Sequence, residues 1–192
     1  MNTNELSPRE SLEIISQVIQ EAKNRFEDDG KLYVLWGALI AVVAFAQFIL
    51  LLNEQYEINY YPYFLIPIAA FVSRWYYKRK KELSNNEISQ NIAWLWLVIS
   101  VNSMIIGFGF PSILESSLIP IILIITGIGI TLSGVYIKNK MVLFAGVLQN
   151  AVGFICFFFD WLYHPLILGI SSILFTLIPG IILMNRYNRQ NV

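Results

Sequence analysis

The residue types that most often carry chemistry are scarce in this chain. Its 192 residues include one histidine, His164, and one cysteine, Cys156. A protein-bound zinc needs three or four side-chain ligands, and a nucleophilic side chain needs a base within reach. Neither residue belongs to such a motif, and Cys156 lies in an apolar run, where a buried thiol is inert. The sequence therefore predicts no catalytic, cofactor-binding or metal-binding residues, and a protein that is not an enzyme.

Amide side chains inside long apolar stretches are the remaining candidates for a site. Asn102, Gln149 and Asn150 all fall near the middle of such stretches. Polar groups at these positions commonly hydrogen-bond between neighbouring helices, and the alternative is that the three amides line a small polar intramembrane cavity. Gly146, Asn150 and Gly153 share one helical face, which predicts close approach of another helix. A similar ridge of small residues lies in the preceding apolar stretch: Gly127, Thr131 and Gly134.

The elements that must position these residues have the length of membrane-spanning helices. Hydrophobic residues make up 56% of the chain and charged residues 14%, against about a quarter charged in a typical soluble domain. Six apolar stretches approach the ~20 residues that a helix needs to cross a hydrocarbon core of ~30 Å: 33–52, 60–77, 92–110, 118–137, 141–159 and 166–184. Backbone polar groups in lipid must be satisfied internally, so we predict an all-α integral membrane protein with six transmembrane helices in three hairpins. Pro67 and Pro179 fall inside two of these stretches and predict kinks.

Charged residues divide between alternate loops. All thirteen Lys and Arg residues lie before the first stretch, at the end of the second and in the loop after it, between the fourth and fifth, or after the sixth. The other loops carry only acids, namely Glu54, Glu57, Glu115 and Asp160. By the positive-inside rule, both termini are cytoplasmic, and we expect a multi-pass protein of a bacterial cytoplasmic (inner) membrane. The zero net charge argues against a nucleic-acid partner.

The first thirty residues have the pattern of an amphipathic helix. Ser7 is a good N-cap, Pro8 suits the first helical position, and Glu10 completes a capping box. Apolar residues then recur every three or four positions: Leu12, Ile15, Ile19, Ala22 and Phe26. We therefore predict two units, a cytoplasmic arm (1–31) and a six-helix transmembrane domain (32–192). Three surfaces could cover the apolar stripe of residues 8–29: the protein's own cytoplasmic face, a second copy or cytosolic protein, or the lipid bilayer.

Charge suggests one docking arrangement for the arm. Its end carries three acids where the helix dipole disfavours negative charge: Glu27, Asp28 and Asp29. A basic segment at the same depth could neutralise them: Lys78, Arg79, Lys80 and Lys81. The alternative for the basic segment is a topology signal that also contacts anionic lipid, worth about 1 kcal/mol per residue.

Several short motifs follow one another along the chain in a characteristic order. They are Glu10-Ser11-Leu12-Glu13-Ile14-Ile15, Leu35-Trp36-Gly37, Gly127-Ile128-Gly129 with Ser133-Gly134, Ile178-Pro179-Gly180, and Asn185-Arg186-Tyr187. In this order the chain resembles a family of uncharacterised small bacterial six-span membrane proteins with an N-terminal amphipathic helix. The resemblance implies the same layout of arm and spans, and it supplies no reaction, substrate or site residues.

Together these observations predict a non-enzymatic integral membrane protein that acts as an anchor, a regulator or a subunit of an assembly. Its N-terminal helix would pack on its own cytoplasmic face or on a partner. The alternative is a transporter or channel component for a small neutral or amphipathic solute, with Asn102, Gln149 and Asn150 at its site.

Overall fold

The computed structural model describes residues 30–81 and 87–190, together with Arg9 and Leu12, and for 76–81, 87–90, 187 and 190 it describes the backbone alone. The described part of the chain is almost entirely helical and contains no strand. An all-helical fold is therefore as predicted. The predicted arm helix, including Glu27, Asp28 and Asp29, lies outside the described residues except for Arg9 and Leu12.

Seven α-helices account for most of the described chain. They are α1 (Gly30–Leu52), α2 (Leu65–Lys81), α3 (Glu87–Gly109), α4 (Leu118–Tyr136), α5 (Lys140–Cys156), α6 (His164–Ser172) and α7 (Ile178–Gln190). A π-helical segment, Ile173–Leu177, joins α6 to α7, so residues 164–190 form one uninterrupted helical run, called here the C-terminal helix. Short helical turns occupy Tyr61–Phe64, Pro111–Leu114, Glu115–Ser117 and Trp161–Tyr163.

Four helical segments are long and apolar enough to cross a membrane: Gly30–Leu52, Asn91–Gly109, Pro111–Tyr136 and Trp161–Arg186. Helix α5 is apolar but has only 17 residues. Helix α2 also has 17 residues, and its C-terminal half is rich in Lys and Arg. These lengths and compositions indicate a helical membrane protein with four candidate spans in the described part of the chain.

Two antiparallel helix pairs form the centre of the molecule. Helix α4 packs along α5, and α1 packs along the C-terminal helix. Helix α3 lies against α4, where the Trp96 indole N–H donates to Ser133 Oγ at 3.0 Å. Helix α2 touches mainly α1. Buried apolar clusters occupy two levels, one around Leu123 and Leu168 and the other around Ile130. The paired helices thus bury their contacts in the centre and leave α2 and α3 at the periphery.

Both pairs pack through small residues. A Cβ on Gly146 would lie 2.2 Å from the backbone N of Thr131, and a Cβ on Gly127 would lie 2.7 Å from the backbone N of Asn150. These are contacts that only glycine permits, so the predicted ridges of small residues in the two stretches are confirmed as packing surfaces. The pair of α1 with the C-terminal helix is equally close, since a Cβ on Gly37 would lie 2.6 Å from a backbone N.

Charged residues occupy backbone positions with positive φ at the ends of α1 and α4. Glu54 has φ 59° and Lys138 has φ 53°. After α4, the N–H of Asn139 bonds to the Gly134 carbonyl at 2.9 Å and that of Lys138 to Val135 at 3.1 Å, which is the Schellman pattern. Asn139 then caps α5 with its side chain. The turn between α4 and α5 is therefore as short as two capped helices allow.

The two prolines predicted to kink helices behave differently. Pro67 lies near the start of its helical run, because α2 begins at Leu65 directly after the 3-10 turn Tyr61–Phe64, and its kink stays a prediction. Pro179 lies inside the C-terminal helix, directly after the π-helical segment. A proline removes one helical hydrogen bond, and the wider π turn re-spaces the bonds that remain.

Candidate functional site

A buried polar layer crosses the middle of the bundle. The Gln149 Nε2 donates to Thr126 Oγ1 at 2.7 Å, and Thr176 Oγ1 lies 3.4 Å from Gln149 Oε1 as its donor. Thr126 Oγ1 also bonds to the carbonyl of Ile122, one turn back in α4. Gln149 is only 4% exposed. The polar layer (Thr126, Gln149 and Thr176) therefore joins α4, α5 and the π-helical segment in one network whose amide is satisfied at both ends.

The short turn between α4 and α5 explains half of this arrangement. Facing residues of the two helices are equally distant in sequence from the Lys138–Asn139 peptide, as for Thr131 with Gly146 and Gly134 with Leu143. The same antiparallel packing brings Gln149 within hydrogen-bond distance of Thr126, although Gln149 lies two residues closer to the turn. The third member, Thr176, belongs to a distant part of the chain and reaches Gln149 because the C-terminal helix packs on α5.

Asn150 faces α4 rather than the polar layer. Its Nδ2 donates to the carbonyl of Ile124 at 3.0 Å, which fastens the side chain of α5 to the main chain of α4. Asn150 also borders a shallow groove of about 260 Å³ between these helices, lined otherwise by Ile128, Thr131, Leu132 and Val147. The groove is mostly apolar and its lining side chains are partly exposed, so it is a feature of the bundle surface.

Asn102 stands apart from the other two amides. It is exposed on α3, and its Nδ2 donates to the carbonyl of Val98 at 2.8 Å, one turn earlier in the same helix. Among the described residues, Asn102, Gln149 and Asn150 share no hydrogen-bond partner. The structure thus brings Gln149 into the polar layer, sets Asn150 on the α4 backbone, and leaves Asn102 on the outer surface.

Other polar residues that were not predicted as site residues join elements of the fold. Ser172 Oγ donates to the carbonyl of Gly37 at 3.0 Å and so ties the C-terminal helix to α1. At the opposite end of α1, Gln47 Nε2 donates to Asn59 Oδ1 at 3.0 Å and accepts at Oε1 from the Tyr63 hydroxyl at 2.9 Å. The turn register pairs Gln149 with Ile128 and so would not have indicated Thr126. The partners of Ser172 and Gln47 depend on helix packing that no local signal in the sequence specifies.

His164, Asp160 and Cys156 each contact neighbouring parts of the chain. His164 is 4% exposed, and its Nε2 lies 3.1 Å from the Phe159 carbonyl. Asp160 Oδ1 accepts from the backbone N–H of Leu162 at 2.9 Å and caps the turn before α6. Cys156 is buried in the apolar cluster beside Leu123. Within the described residues, no group of three His, Cys, Asp or Glu side chains could hold a metal ion.

The predicted contact between the arm and the basic segment lies largely outside the described residues. Lys78, Arg79, Lys80 and Lys81 continue helix α2, and only their backbone is described. The side-chain partners of this segment therefore stay a prediction.

Comparison of the chain with protein-family models, with curated proteins and with solved structures found no match. A function for this chain must be argued from its own residues.

Proposed function

We propose that the chain is a six-span protein of a bacterial cytoplasmic membrane with both termini in the cytoplasm. Support comes from the overlap of every predicted apolar stretch with one helical run, and from the confinement of Lys and Arg to alternate loops. Helix α5 would be about 25 Å long, slightly less than the ~30 Å core. Three phenylalanines, Phe157–159, follow it directly and extend its apolar surface.

Single-cysteine variants test this threading. Cys156 is the one cysteine of the chain and is buried. It is first replaced by Ser, so that each introduced cysteine is the only thiol that can be labelled. Cysteines placed at Glu57 and Glu115 should react with a membrane-impermeant maleimide on intact cells. Cysteines at Lys80 and Lys138 should react only after permeabilisation. Labelling of the Lys80 position on intact cells would refute the proposed orientation.

We propose further that the protein is not an enzyme and serves as a membrane anchor, regulator or assembly subunit that presents its arm to its own cytoplasmic face or to a partner. The observation that favours a scaffold is the tightness of the bundle. Glycines bring backbones into contact in both helix pairs, and the Gln149 amide is bonded at both ends. Close-packed interfaces of this kind favour one conformation over alternating ones.

Disulfide crosslinking tests whether the arm docks on its own chain. With Cys156 replaced by Ser, a cysteine pair at Asp28 and Lys80 should crosslink within one chain if the acidic end of the arm lies on the basic segment. The matched control pairs Asp28 with Lys138, which is basic and on the same proposed side. Equal crosslinking of both pairs, or crosslinks only between chains, would contradict docking on the basic segment.

A second candidate function is a transporter or channel component for a small neutral or amphipathic solute. One observation favours it: Thr176, in the polar layer, belongs to the π-helical segment Ile173–Leu177. Single π turns within helices occur frequently at functional sites. Under this hypothesis, Gln149→Leu and Thr176→Val should each change solute flux into vesicles that contain the purified protein. Unchanged flux in both variants, with folding intact, would leave the scaffold as the better explanation.

A further inference from the structure

Two exposed apolar stripes run along the peripheral helices α2 and α3. The α2 stripe consists of Phe64, Ile68, Phe71 and Trp75, and the α3 stripe consists of Trp94, Val98, Val101, Ile105 and Phe108. Steps of three and four residues place each set on one helical face. Phe71 is 74% exposed and Trp94 is 65% exposed. Both stripes are therefore largely exposed in the described part of the chain.

The stripes converge at one end of the molecule. The rings of Phe64 and Phe108 lie 5.6 Å apart between centroids, at the start of α2 and the end of α3. Elsewhere the two helices have different neighbours, since α2 packs on α1 and α3 packs on α4. The two stripes therefore meet at Phe64 and Phe108, and together they are called here the α2–α3 surface.

The side chains of this surface suit lipid better than another helix. Where helices of this protein pack closely, glycines bring the backbones together, as Gly37, Gly127 and Gly146 do. Membrane helices associate through such small residues. The α2–α3 surface is made of aromatic and branched side chains, whereas Gly107 and Gly109 of α3 have nothing within 4 Å of a Cβ. A flexible acyl chain can follow so uneven a surface, and a rigid helix cannot approach it closely.

A cationic side chain marks one end of the α2–α3 surface. Arg74 is exposed, three residues after Phe71 on the same helical face and next to Trp75. Within the described part of the chain, Arg74 has no ion-pair or hydrogen-bond partner. More basic residues follow it at the end of α2. The surface therefore combines an apolar length with positive charge at one end, as an anionic phospholipid combines acyl chains with a negative headgroup.

The depth of Arg74 makes an anionic partner energetically important. Measured from Tyr61, the short 3-10 turn and α2 carry the chain only about 22 Å before Arg74. A hydrocarbon core is ~30 Å thick. If Tyr61 lies at one interface, Arg74 lies within the hydrocarbon core near the opposite interface, where a charged side chain is unfavourable unless it reaches the headgroups or finds a counter-charge. A phosphate drawn to this depth would supply that counter-charge.

We propose that the α2–α3 surface binds an anionic phospholipid, with its phosphate at Arg74 and one acyl chain along Phe71 towards the Phe64–Phe108 contact. This inference depends on the chain being embedded in a bilayer. It does not depend on what the arm binds or on whether the polar layer passes a solute.

Native mass spectrometry of the purified full-length chain tests the site. The probes are dioleoyl phosphatidylglycerol and dioleoyl phosphatidylcholine, which share acyl chains and differ in net charge. We expect Arg74→Gln to weaken phosphatidylglycerol binding about fivefold, from about 1 kcal/mol per basic residue, and to change phosphatidylcholine binding less than twofold. Arg74→Lys keeps the charge and should stay within about twofold of the wild type. Phe71→Ala should weaken both lipids several-fold, because it removes the apolar contact.

Arg186 supplies the matched control. It is exposed, and it follows Leu177-Ile178-Pro179 by the same interval that separates Arg74 from Leu65-Ile66-Pro67. Arg186→Gln should change phosphatidylglycerol binding less than twofold. An equal loss in the Arg74 and Arg186 variants would show non-specific attraction and overturn the proposal. A stable dimer that Phe71→Ala dissociates would also overturn it, since a second copy would then cover the surface. If Arg74→Gln does not fold, the proposal fails unless Arg74→Lys retains and Phe71→Ala loses the bound lipid.

Discussion

Replacement of Gly146 by alanine should separate α4 from α5, the most closely packed helices in the described part of the chain. The added Cβ would lie 2.2 Å from the backbone N of Thr131 and 2.7 Å from its Cα. Backbone atoms cannot rotate away as a side chain can, so α4 and α5 must part by about 1 Å to restore ordinary contact. Overpacking of this kind typically costs about 1–3 kcal/mol, because neighbouring contacts along the interface are lost together.

Gly107 provides the matched control for this substitution. It lies in α3, with nothing within 4 Å of a Cβ. Alanine there should be neutral or stabilise the helix by up to about 1 kcal/mol, because glycine loses more backbone entropy on folding. Gly146→Ala should therefore destabilise the protein and Gly107→Ala should not, although both changes add one methyl group to a helix. The difference depends on the tertiary contact alone.

Equilibrium unfolding in mixed micelles, followed by far-UV circular dichroism during a denaturing-detergent titration, measures the difference. A second variant sharpens the argument. Adding Thr131→Ala to Gly146→Ala should recover only part of the lost stability, because it removes the Thr131 Oγ1 at 2.5 Å from the added Cβ but leaves the backbone N at 2.2 Å. Equal unfolding midpoints for Gly146→Ala and Gly107→Ala would refute a backbone clash at Gly146. Recovery of the wild-type midpoint by Thr131→Ala would refute it as well.

The same titration checks three further expectations. Gln149→Leu should lower the free energy of unfolding by about 0.6–1.7 kcal/mol, because interhelical hydrogen bonds are lost. Asn102→Leu replaces an exposed amide bonded to its own helix and should change it by less than about 0.5 kcal/mol. Equal costs would contradict the structure. Lys138→Gly should raise the free energy of unfolding by about 1 kcal/mol, since glycine adopts positive φ without a Cβ penalty. A lower stability would mean that contacts of the Lys138 side chain outweigh the strain of its backbone. Trp96→Phe should cost about 1–3 kcal/mol, because it leaves the buried Ser133 hydroxyl without its donor, and a neutral result would show that this bond is replaced.

The packing of α4 against α5 could be predicted from local features of the sequence. Asn139 is a good N-cap, the connection around Lys138 is short, and small residues lie at matching distances on either side of it. A tight turn between two helices constrains their register, because residues on the facing sides then meet at about equal distances from the turn. The prediction of helices at the apolar stretches rests on equally local information, namely length and hydropathy.

The sequence did not indicate which face of each helix is inside. Asn102 and Gln149 both lie near the middle of an apolar stretch, and this position alone predicts one shared site. In the structure Asn102 is exposed and Gln149 is buried. In a soluble helix, polar residues mark the outer face. In lipid the outer face is apolar too, so periodicity says little about the rotation of a helix about its axis.

Contacts between distant segments depended on the tertiary structure for the same reason. Ser172 and Gly37 are 135 residues apart, and their hydrogen bond forms because α1 lies along the C-terminal helix. The polar layer likewise needs Thr176, 27 residues from Gln149. Local sequence determined that this chain would be helical and apolar, because both properties follow from the residues of each segment taken alone. Only the assembled bundle decided which helices are neighbours, since that choice depends on how whole surfaces fit and not on any one segment.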